Sequence, residues 1–434
     1  MIAFANTGGG SLIIGIDDSQ IVVGVDKDTV FQIMDAIAST VSDSCEPQII
    51  PDISFQTIEG RCIIIVEIYP GTNRPYYFKH VGKENGTYIR VAGTSRQADA
   101  MKIKELELEG THSSWDKQIC IGYEVKAEAI DKLCHDIHMY MMSAVESVEE
   151  KKNIPMITEE HLLNWKLLRK TGSQLQAANA FVLLTGDYFR FAKIQCALFK
   201  GGDRDEFLDK KEYSGPLYEQ IEEAYRFVLR HINRSAEING LVRKEKYELP
   251  VGAVREMIIN AQCHRNFMDA SCVQVALFVD RLEITSPGML YGGLTLQEAL
   301  NGRSKIRNKA IAEVFSRMEL IEGWGTGIRR IMKRAEEYEL PTPEFMEIGD
   351  TFRVNLYRKD RKKPLKADKK PLYEKRRQLI TEYVSENGRI SNREARQLLS
   401  LAESTTKRIL KQMVLDGYLI EQGEKKSRIY LPHR

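Results

Sequence analysis

The sequence predicts a multidomain α/β protein, and three observations lead to that prediction. The chain has 434 residues, more than a single hydrophobic core ordinarily serves. Helix-like and strand-like patterns alternate through residues 1–357, whereas the C-terminal segment has the pattern of three helices and a β-hairpin. A basic stretch separates the two parts. We therefore expect an α+β module at 1–112, a helical connector and an α/β sandwich at 113–357, a basic linker at 358–371 and a helical module at 372–434.

Composition narrows the class of protein. Hydrophobic residues make up 43% of the chain and charged residues 29%, the balance of a globular protein. No apolar stretch is long enough for a membrane helix, and no secretory signal precedes the first strand. The seven cysteines are scattered and none is in a CxxC pair, so we expect neither disulfides nor a zinc ribbon. These features predict a cytoplasmic protein with no membrane partner.

The first module begins with a glycine run, Gly8 to Gly10, before a strand. The strand-like runs SLIIGI and IVVGV flank DDSQ, which predicts a hairpin with Asp17 and Asp18 in its turn. A helix over 29–42 and the strands CIIIVEI and TYIRV follow. The glycine run is explained either by turn geometry or by close approach to a phosphate.

The central part is expected to be mostly helical from 115 to 250, followed by the sandwich. The segment VREMIINAQCHRNF predicts a helix on which Glu256, Asn260 and His264 recur every four residues and share one face. Two strands, VQVALFV and RLEITSPG, then precede a long segment containing RSKIRNK and GWGTGI. The run FRVNLY predicts the closing strand.

The last module has the pattern of a winged helix-turn-helix. Pro371 suits the first turn of its first helix, whose inner face is Leu379, Ile380, Tyr383 and Val384. Ser391 and Glu394 form a capping box at the second helix, and Gly417 ends the third. The third helix begins near Ser404, and in this fold it enters the major groove of DNA.

Polar and basic side chains are predicted on the outer face of the third helix and on the wing. Lysine and arginine there can neutralise phosphates, and threonine or glutamine can contact bases. A protein-interaction role for the same module is the alternative. The candidate DNA-binding residues are Ser404, Thr405, Thr406, Lys407, Arg408, Lys411, Gln412, Lys425, Lys426 and Arg428.

The motifs FANTGGGSLIIGIDD and GTNRPYYFKHVGKENGTYIRVAGTSRQAD resemble the Schlafen AlbA_2 domain. That resemblance implies a module that binds nucleic acid or nucleotide, and its eukaryotic relatives cleave RNA with a carboxylate cluster. Asp17 and Asp18 match one acidic position of that cluster. The two glutamates that precede the motif in the family have no counterpart in the sequence, so we do not expect cleavage by this chain.

Residues 254–357 resemble the divergent ATPase domain of the gyrase, chaperone and histidine-kinase (GHKL) superfamily. The resemblance implies that Asn260 holds Mg²⁺ against nucleotide phosphates and that Glu256 orients water as a catalytic residue. It assigns Gly325, Thr326 and Gly327 to the phosphate lid, and His264, Pro287 and Gly288 to the nucleotide site. The motif ITSPGML lacks the aspartate that binds adenine in the superfamily, which argues against adenine recognition. A site for ATP and Mg²⁺ is one interpretation, with hydrolysis weak or vestigial; the other is a retained fold in which Gly325 and Gly327 only form a turn and Asn260 caps local backbone.

Together these readings predict a bacterial transcriptional regulator that binds DNA through its winged helix, under the control of a nucleotide or small-molecule effector. A homodimer is expected because winged-helix proteins read two-fold sites. The alternatives are a Schlafen-like metal-dependent nuclease or ATP-dependent defence protein, and a scaffold without nucleotide or DNA.

Overall fold

The computed structural model describes residues 1–91, 93–186, 188–239, 242–322, 325–359, 369–399, 403–423 and 428–432. The chain divides into two compact units, Met1–Arg361 and Lys362–Arg434. The first unit contains the N-terminal and central modules, and the second contains the C-terminal module.

The N-terminal module is a small antiparallel sheet with a helix across it. Strand order is β1-β4-β3, and the alternate residues Ile64, Val66 and Ile68 of β4 are buried. The predicted helix and both later strands are present. The run IVVGV is not a regular strand; isolated bridges pair its Val22 with Ile16 and its Val25 with Cys62. The elements are α1 (Ile2–Ala5), β1 (Gly10–Ile14), α2 (Val30–Ser44), β2 (Cys45–Glu46), β3 (Asp52–Ile58), β4 (Arg61–Ile68), β5 (Tyr77–Phe78), α3 (Lys83–Gly86), β6 (Tyr88–Val91), β7 (Thr94–Gln97) and α4 (Ala100–Gly110).

The central module begins with helices and continues as a sheet covered by helices. Its elements are α5 (Ala127–Ala144), α6 (Val148–Lys152), α7 (Glu159–Asn164), β8 (Leu168–Thr171), β9 (Gln174–Ala177), α8 (Asn179–Thr185), β10 (Ile194–Phe199), β11 (Phe207–Tyr213), α9 (Leu217–His231), β12 (Arg234–Asn239), β13 (Val242–Tyr247), α10 (Val251–Cys263), β14 (Val273–Leu277), β15 (Arg281–Pro287), α11 (Leu296–Leu300), α12 (Lys309–Arg317), α13 (Gly327–Glu337), β16 (Glu344–Ile348) and β17 (Thr351–Tyr357).

A six-stranded sheet, in the order β11-β10-β14-β15-β17-β16, organises this module. Every neighbouring pair is antiparallel except β10 and β14, which are parallel. Helices α9 and α10 pack on one face, and their apolar side chains join those of the strands in one core. The prediction that 115–250 is mostly helical is wrong, because six strands lie there and two of them belong to this sheet.

The described residues of the C-terminal unit form three helices and a three-stranded sheet. The capping box is confirmed: the Ser391 amide donates to the Glu394 carboxylate at 2.7 Å, and the Glu394 amide donates to Ser391 Oγ at 3.3 Å. Ile380 and Val384 are buried as predicted, but Leu379 is exposed. Gly417 has a φ of 76°, the left-handed conformation expected after the third helix. The elements are α14 (Lys369–Asn387), β18 (Ile390–Ser391), α15 (Asn392–Leu399), α16 (Glu403–Leu415), β19 (Leu419–Gln422) and β20 (Ile429–Pro432).

Helix α16 begins at Glu403, so Ser404 lies inside its first turn rather than before it. Among the described residues, no helix combines the length and apolar character required to cross a membrane.

Candidate functional site

The central module contains a pocket of about 160 Å³ between α10, α13, the strands β15 and β17, and the segment between β15 and α12. Its walls are mostly apolar, with Met257 from α10, Ile284 from β15 and Phe352 from β17 among them. Polar side chains gather where α10 meets the start of α13. A mostly apolar cleft with a few convergent polar groups is the usual form of a small-molecule site.

Glu256, Asn260 and His264 all line this pocket, as the fourfold spacing predicts. Asn260 Nδ2 donates to Glu256 Oε1 at 3.3 Å, and Arg330 Nη1 lies 3.7 Å from Glu256 Oε2. The carboxylate is thereby held from two sides. Carboxylate and amide oxygens are the ligands that Mg²⁺ accepts, so this pair fits a site for a magnesium-bound nucleotide.

The start of α13 approaches this pair so closely that a side chain on Gly327 would displace the ends of both side chains. A Cβ on Gly327 would lie 2.5 Å from Glu256 Oε1 and 2.8 Å from Asn260 Nδ2. Gly325 also lines the pocket and has a φ of 66°, which favours glycine. The backbone amides at the first turn of α13 have no partner within the helix, so this end attracts anions.

His264 directly follows the last residue of α10 and lines the pocket. Burial, followed by the positive charge of Arg307, lowers the pKa of His264 to about 4. The ring is therefore neutral at pH 7, and it can donate or accept a hydrogen bond but contributes no charge for a phosphate.

Two of the predicted nucleotide-binding residues are not among the described residues that line the pocket. Pro287 is buried at the end of β15, where its carbonyl accepts from the Asn266 amide at 2.8 Å. Thr326 Oγ1 is enclosed and has no hydrogen-bond partner among the described residues. Their neighbours Gly288 and Gly327 do line the pocket.

Two basic residues that were not among the predicted site residues also line the pocket. Arg303 and Lys305 come from the segment RSKIRNK. Burial, together with Arg74, lowers the pKa of Lys305, and its amine donates to the Gly292 carbonyl. The basic residues of RSKIRNK, which precede the glycine-rich motif GWGTGI, are the sequence feature that could have indicated a phosphate-binding role.

The N-terminal features have structural explanations. Asp17 Oδ1 accepts from the amides of Ser19 and Ile21 at 2.9 and 2.8 Å, so this side chain closes the hairpin turn. A Cβ on Gly10 would lie 2.6 Å from the Phe4 ring, and Gly9 has a φ of 82°. Within the described residues, no group of three or more histidine, cysteine or acidic residues could hold a metal ion.

The third helix of the C-terminal module separates a buried face from an exposed one. Leu410 and Met413 are fully buried, whereas Lys407, Arg408, Lys411 and Gln412 are exposed. The prediction that Thr406 faces outward is wrong. It is fully buried because it lies three and four residues before Ile409 and Leu410, on the core face of the helix.

The wing is only partly described. Arg428 is exposed and its Nε lies 2.8 Å from Glu421 Oε1 of β19. The side chains of Ser404 and Thr405 and the residues Lys425 and Lys426 lie outside the described residues, as does most of the basic linker. Arg358, expected in that linker, is buried and pairs with Glu248 at 2.9 Å.

Comparisons with known families confirm the predicted order of modules. Residues 1–99 match the family described as "Schlafen, AlbA_2", and residues 374–420 match "Winged helix-turn-helix DNA-binding". Residues 271–356 match the family HATPase_c_4, described as "Putative ATP-dependent DNA helicase recG C-terminal". This last match includes Gly288, Gly325 and Gly327, whereas helix α10 with Glu256 and Asn260 precedes it.

None of the curated proteins matches the chain. One solved structure, the DIP2311 protein from Corynebacterium diphtheriae, is 18% identical, and the match covers 99% of this chain and 85% of that one. Its TM-score is 0.45, a likeness that carries no argument about function.

Proposed function

We propose that this chain is a transcriptional regulator that binds DNA through helix α16 and a nucleotide with Mg²⁺ through the central pocket. The observation that carries the proposal is the division of α16 into a buried apolar face and an exposed basic face, within a segment that matches a DNA-binding family. The AlbA_2 and ATPase-like modules are the candidates for sensing an effector.

The DNA-binding part of the proposal is supported by the exposed face of α16. Lys407, Arg408 and Lys411 occupy two successive turns, so their charges can follow a phosphate backbone. Gln412, next to Lys411, can hydrogen-bond a base edge. The buried residues on the opposite face hold the helix against α15, so these side chains are presented from a rigid support.

Anisotropy titrations of the full chain with a labelled DNA duplex, at several salt concentrations, test this part. The double variant Arg408→Ala/Lys411→Ala should bind more weakly, and its log–log salt slope should be shallower by about 2, because each phosphate contact contributes about 1. The double variant Arg226→Ala/Lys333→Ala removes two exposed charges from α9 and α13 and serves as the control. Equal affinities and equal slopes for both variants would refute DNA binding through α16.

The nucleotide-binding part is supported by the arrangement around Asn260. The side-chain ends of Glu256 and Asn260 face the glycine-lined start of α13, and Lys305 lines the same pocket. A polyphosphate requires both features, because its oxygens accept from backbone amides and ammonium groups, and its metal ion takes oxygen ligands. The phosphates of the bound nucleotide would pair with the positive charges of Arg303 and Lys305 in the same pocket.

Calorimetry and thermal unfolding with ATP or ADP, with and without Mg²⁺, test this part. A ligand that binds only the folded state raises the unfolding temperature. The rise should be present in the wild type and lost in Asn260→Ala, while Asn153→Ala, a change of an exposed asparagine after α6, should keep it. Absence of any rise at millimolar nucleotide would reject the pocket as a nucleotide site.

Control by ligand and a dimeric state complete the proposal. The effector would act by binding two arrangements of the chain with different affinity, which changes the fraction competent for DNA. A winged-helix dimer would place two copies of α16 on neighbouring half-sites. Light scattering should give a mass of two chains for the free protein and two chains per duplex for its complex with DNA. One chain in the free protein and one chain per duplex in the complex would contradict the dimer.

A further inference from the structure

The N-terminal module ends in a helix that lies against the wall of the central pocket. Helix α4 carries Glu105 and Glu109, four residues apart and so on one side of the helix. The side chains of both are more than nine-tenths buried. Glu105 forms an ion pair with Arg307, and Glu109 forms one with Arg74. Arg307 belongs to the segment between β15 and α12 that bounds the pocket.

Arg307 is the centre of the first connection. Its Nη1 donates to the His264 carbonyl and its Nη2 to the Met289 carbonyl, each at 2.9 Å. Its Nε donates to Glu105 Oε1 at 3.1 Å. His264 and Met289 both line the pocket, so one buried guanidinium ties two parts of the pocket wall to a carboxylate of the N-terminal module.

Glu105 supplies the charge that makes this arrangement stable. Burial alone would oppose its ionisation, but Lys102 and Arg307 hold the pKa of the carboxyl below its usual range. Two neutral carbonyl groups would leave the Arg307 charge without a counter-ion in a dry environment. A buried ion pair is sensitive to loss of either partner for that reason.

A second connection runs beside the first. Arg74 Nη1 pairs with Glu109 at 2.6 Å, and its Nε donates to the Ala5 carbonyl at 3.2 Å. A Cβ on Gly8 would lie 3.2 Å from the Gly293 carbonyl oxygen, so the glycine run packs directly on the segment that bounds the pocket. The adjacent Gly292 carbonyl accepts from Lys305, which lines the pocket.

We infer that Glu105 is a positioning residue of the central pocket, acting through Arg307, so that ligand binding there and the docking of helix α4 are thermodynamically coupled. The inference rests on the proposed nucleotide site. Coupling is reciprocal: if docked α4 raises the affinity for the ligand, bound ligand must stabilise the docked α4 by the same factor. The N-terminal module would then influence ligand binding in the pocket and would itself respond to the bound ligand.

The test compares wild type, Glu105→Gln and the control Glu107→Gln in the full chain. Glu107 lies on the same helix but pairs with Lys83 and Lys104, both within the N-terminal module. Glu105→Gln should weaken MgATP binding by about tenfold, within the usual range of coupling between two sites, and Glu107→Gln should leave it unchanged. Hydrogen exchange of the same proteins without nucleotide is the second measurement. The backbone amides of Asn266 and Gly288 should exchange faster in Glu105→Gln and at the wild-type rate in Glu107→Gln.

The two readings separate the inference from the proposed function. If wild type binds no nucleotide, the nucleotide proposal fails, and the exchange data alone decide whether Glu105 positions the wall. If Glu105→Gln binds MgATP like wild type and shows unchanged exchange at those amides, Glu105 does not position the pocket. Should Glu105→Gln fail to fold, Arg307→Lys replaces it, because it keeps the charge but has its donors on one nitrogen instead of on Nε, Nη1 and Nη2. Normal affinity and normal exchange in that variant would likewise overturn the inference.

Discussion

The central pocket and the exposed face of α16 are the two candidate binding surfaces, and they are built in opposite ways. The pocket is lined by residues of α10, α13, β15, β17 and the segment before α12, and two of its polar side chains, Glu256 and Asn260, hydrogen-bond each other. The α16 surface takes its basic residues from one helix, and these side chains are exposed. The pocket depends on distant parts of the chain meeting, whereas the α16 surface depends on the periodicity of one helix.

This difference predicts how the two regions respond to substitution. A change at the pocket should alter ligand binding and the free energy of unfolding together, because each polar group there is also a structural contact. A change on the exposed face of α16 should alter DNA binding alone. The predictions that follow test this contrast, from the largest expected effect to the smallest.

Replacement of Arg307 by alanine should have the largest effect on stability. It removes one of the two cationic partners of the buried Glu105, which keeps only Lys102 at 2.7 Å, and it takes the donor away from two carbonyl groups, so the loss should lie near the lower end of the usual cost of breaking a buried ion pair, about 3 kcal/mol. Urea unfolding measures the change. The matched control is Arg226→Ala, whose exposed pairs with Glu222 and Glu223 contribute about 0–1 kcal/mol. Similar losses of unfolding free energy in the two variants would show that the buried Arg307 ion pair stabilises the fold no more than an exposed one.

Replacement of Gly327 by alanine should be intermediate. The new methyl group would displace the ends of the Glu256 and Asn260 side chains, and because both ends can move, the cost should lie at the lower end of the usual range for an added carbon, about 1 kcal/mol. MgATP affinity, measured by calorimetry, should fall with it because the two oxygen donors must move. Gly201→Ala is the control, since its Cβ would meet no atom closer than 4.0 Å. Unchanged affinity in Gly327→Ala would remove the lid from the proposed site.

The pH dependence of unfolding should reveal the Glu105–Arg307 ion pair. The pKa of Glu105 is lowered in the folded state, so the unfolded chain binds this proton more readily. Its stabilisation is complete well above the ordinary glutamate pKa of about 4.3 and is lost as the pH falls through the folded-state value. The stability difference between wild type and Glu105→Gln should therefore shrink from pH 6 to pH 3. A constant difference across that range would contradict an ionised, paired Glu105.

Replacement of Lys411 by alanine should leave stability unchanged and still weaken DNA binding. The side chain is exposed, and exposed substitutions away from special features usually change stability by less than about 0.5 kcal/mol. The salt slope of DNA binding should fall by about 1 if Lys411 contacts one phosphate. Thermal unfolding and anisotropy titration of the same sample measure both. A large loss of stability would mean that this face of α16 is packed against protein.

Buried threonine within α16 offers a complementary comparison on a single helix. Thr406 is fully buried, one residue before the exposed Lys407. Thr406→Val should change DNA affinity far less than Lys411→Ala does, because its side chain faces the core of the module. Titration against the same duplex compares the two variants. A stronger effect of Thr406→Val would mean that core packing, rather than exposed charge, controls the surface.

The sequence by itself determined the features that repeat within a few residues. The fourfold spacing of Glu256, Asn260 and His264 placed them on one side of α10, and all three meet the pocket. The Ser391–Glu394 capping box and the left-handed Gly417 were likewise readable, because a cap or a stop involves residues three or four apart. Three separate family matches agree with the order of modules that these local patterns predicted.

Only the tertiary structure decided which distant residues became partners. The parallel pairing of β10 with β14 joined a segment expected to be helical to the main sheet, because sheet pairing is fixed by packing rather than by local propensity. Arg307 and Glu105 are 202 residues apart, and neither position carries a periodic signal that names the other. Burial made this pair important, since the same two charges in water would contribute little.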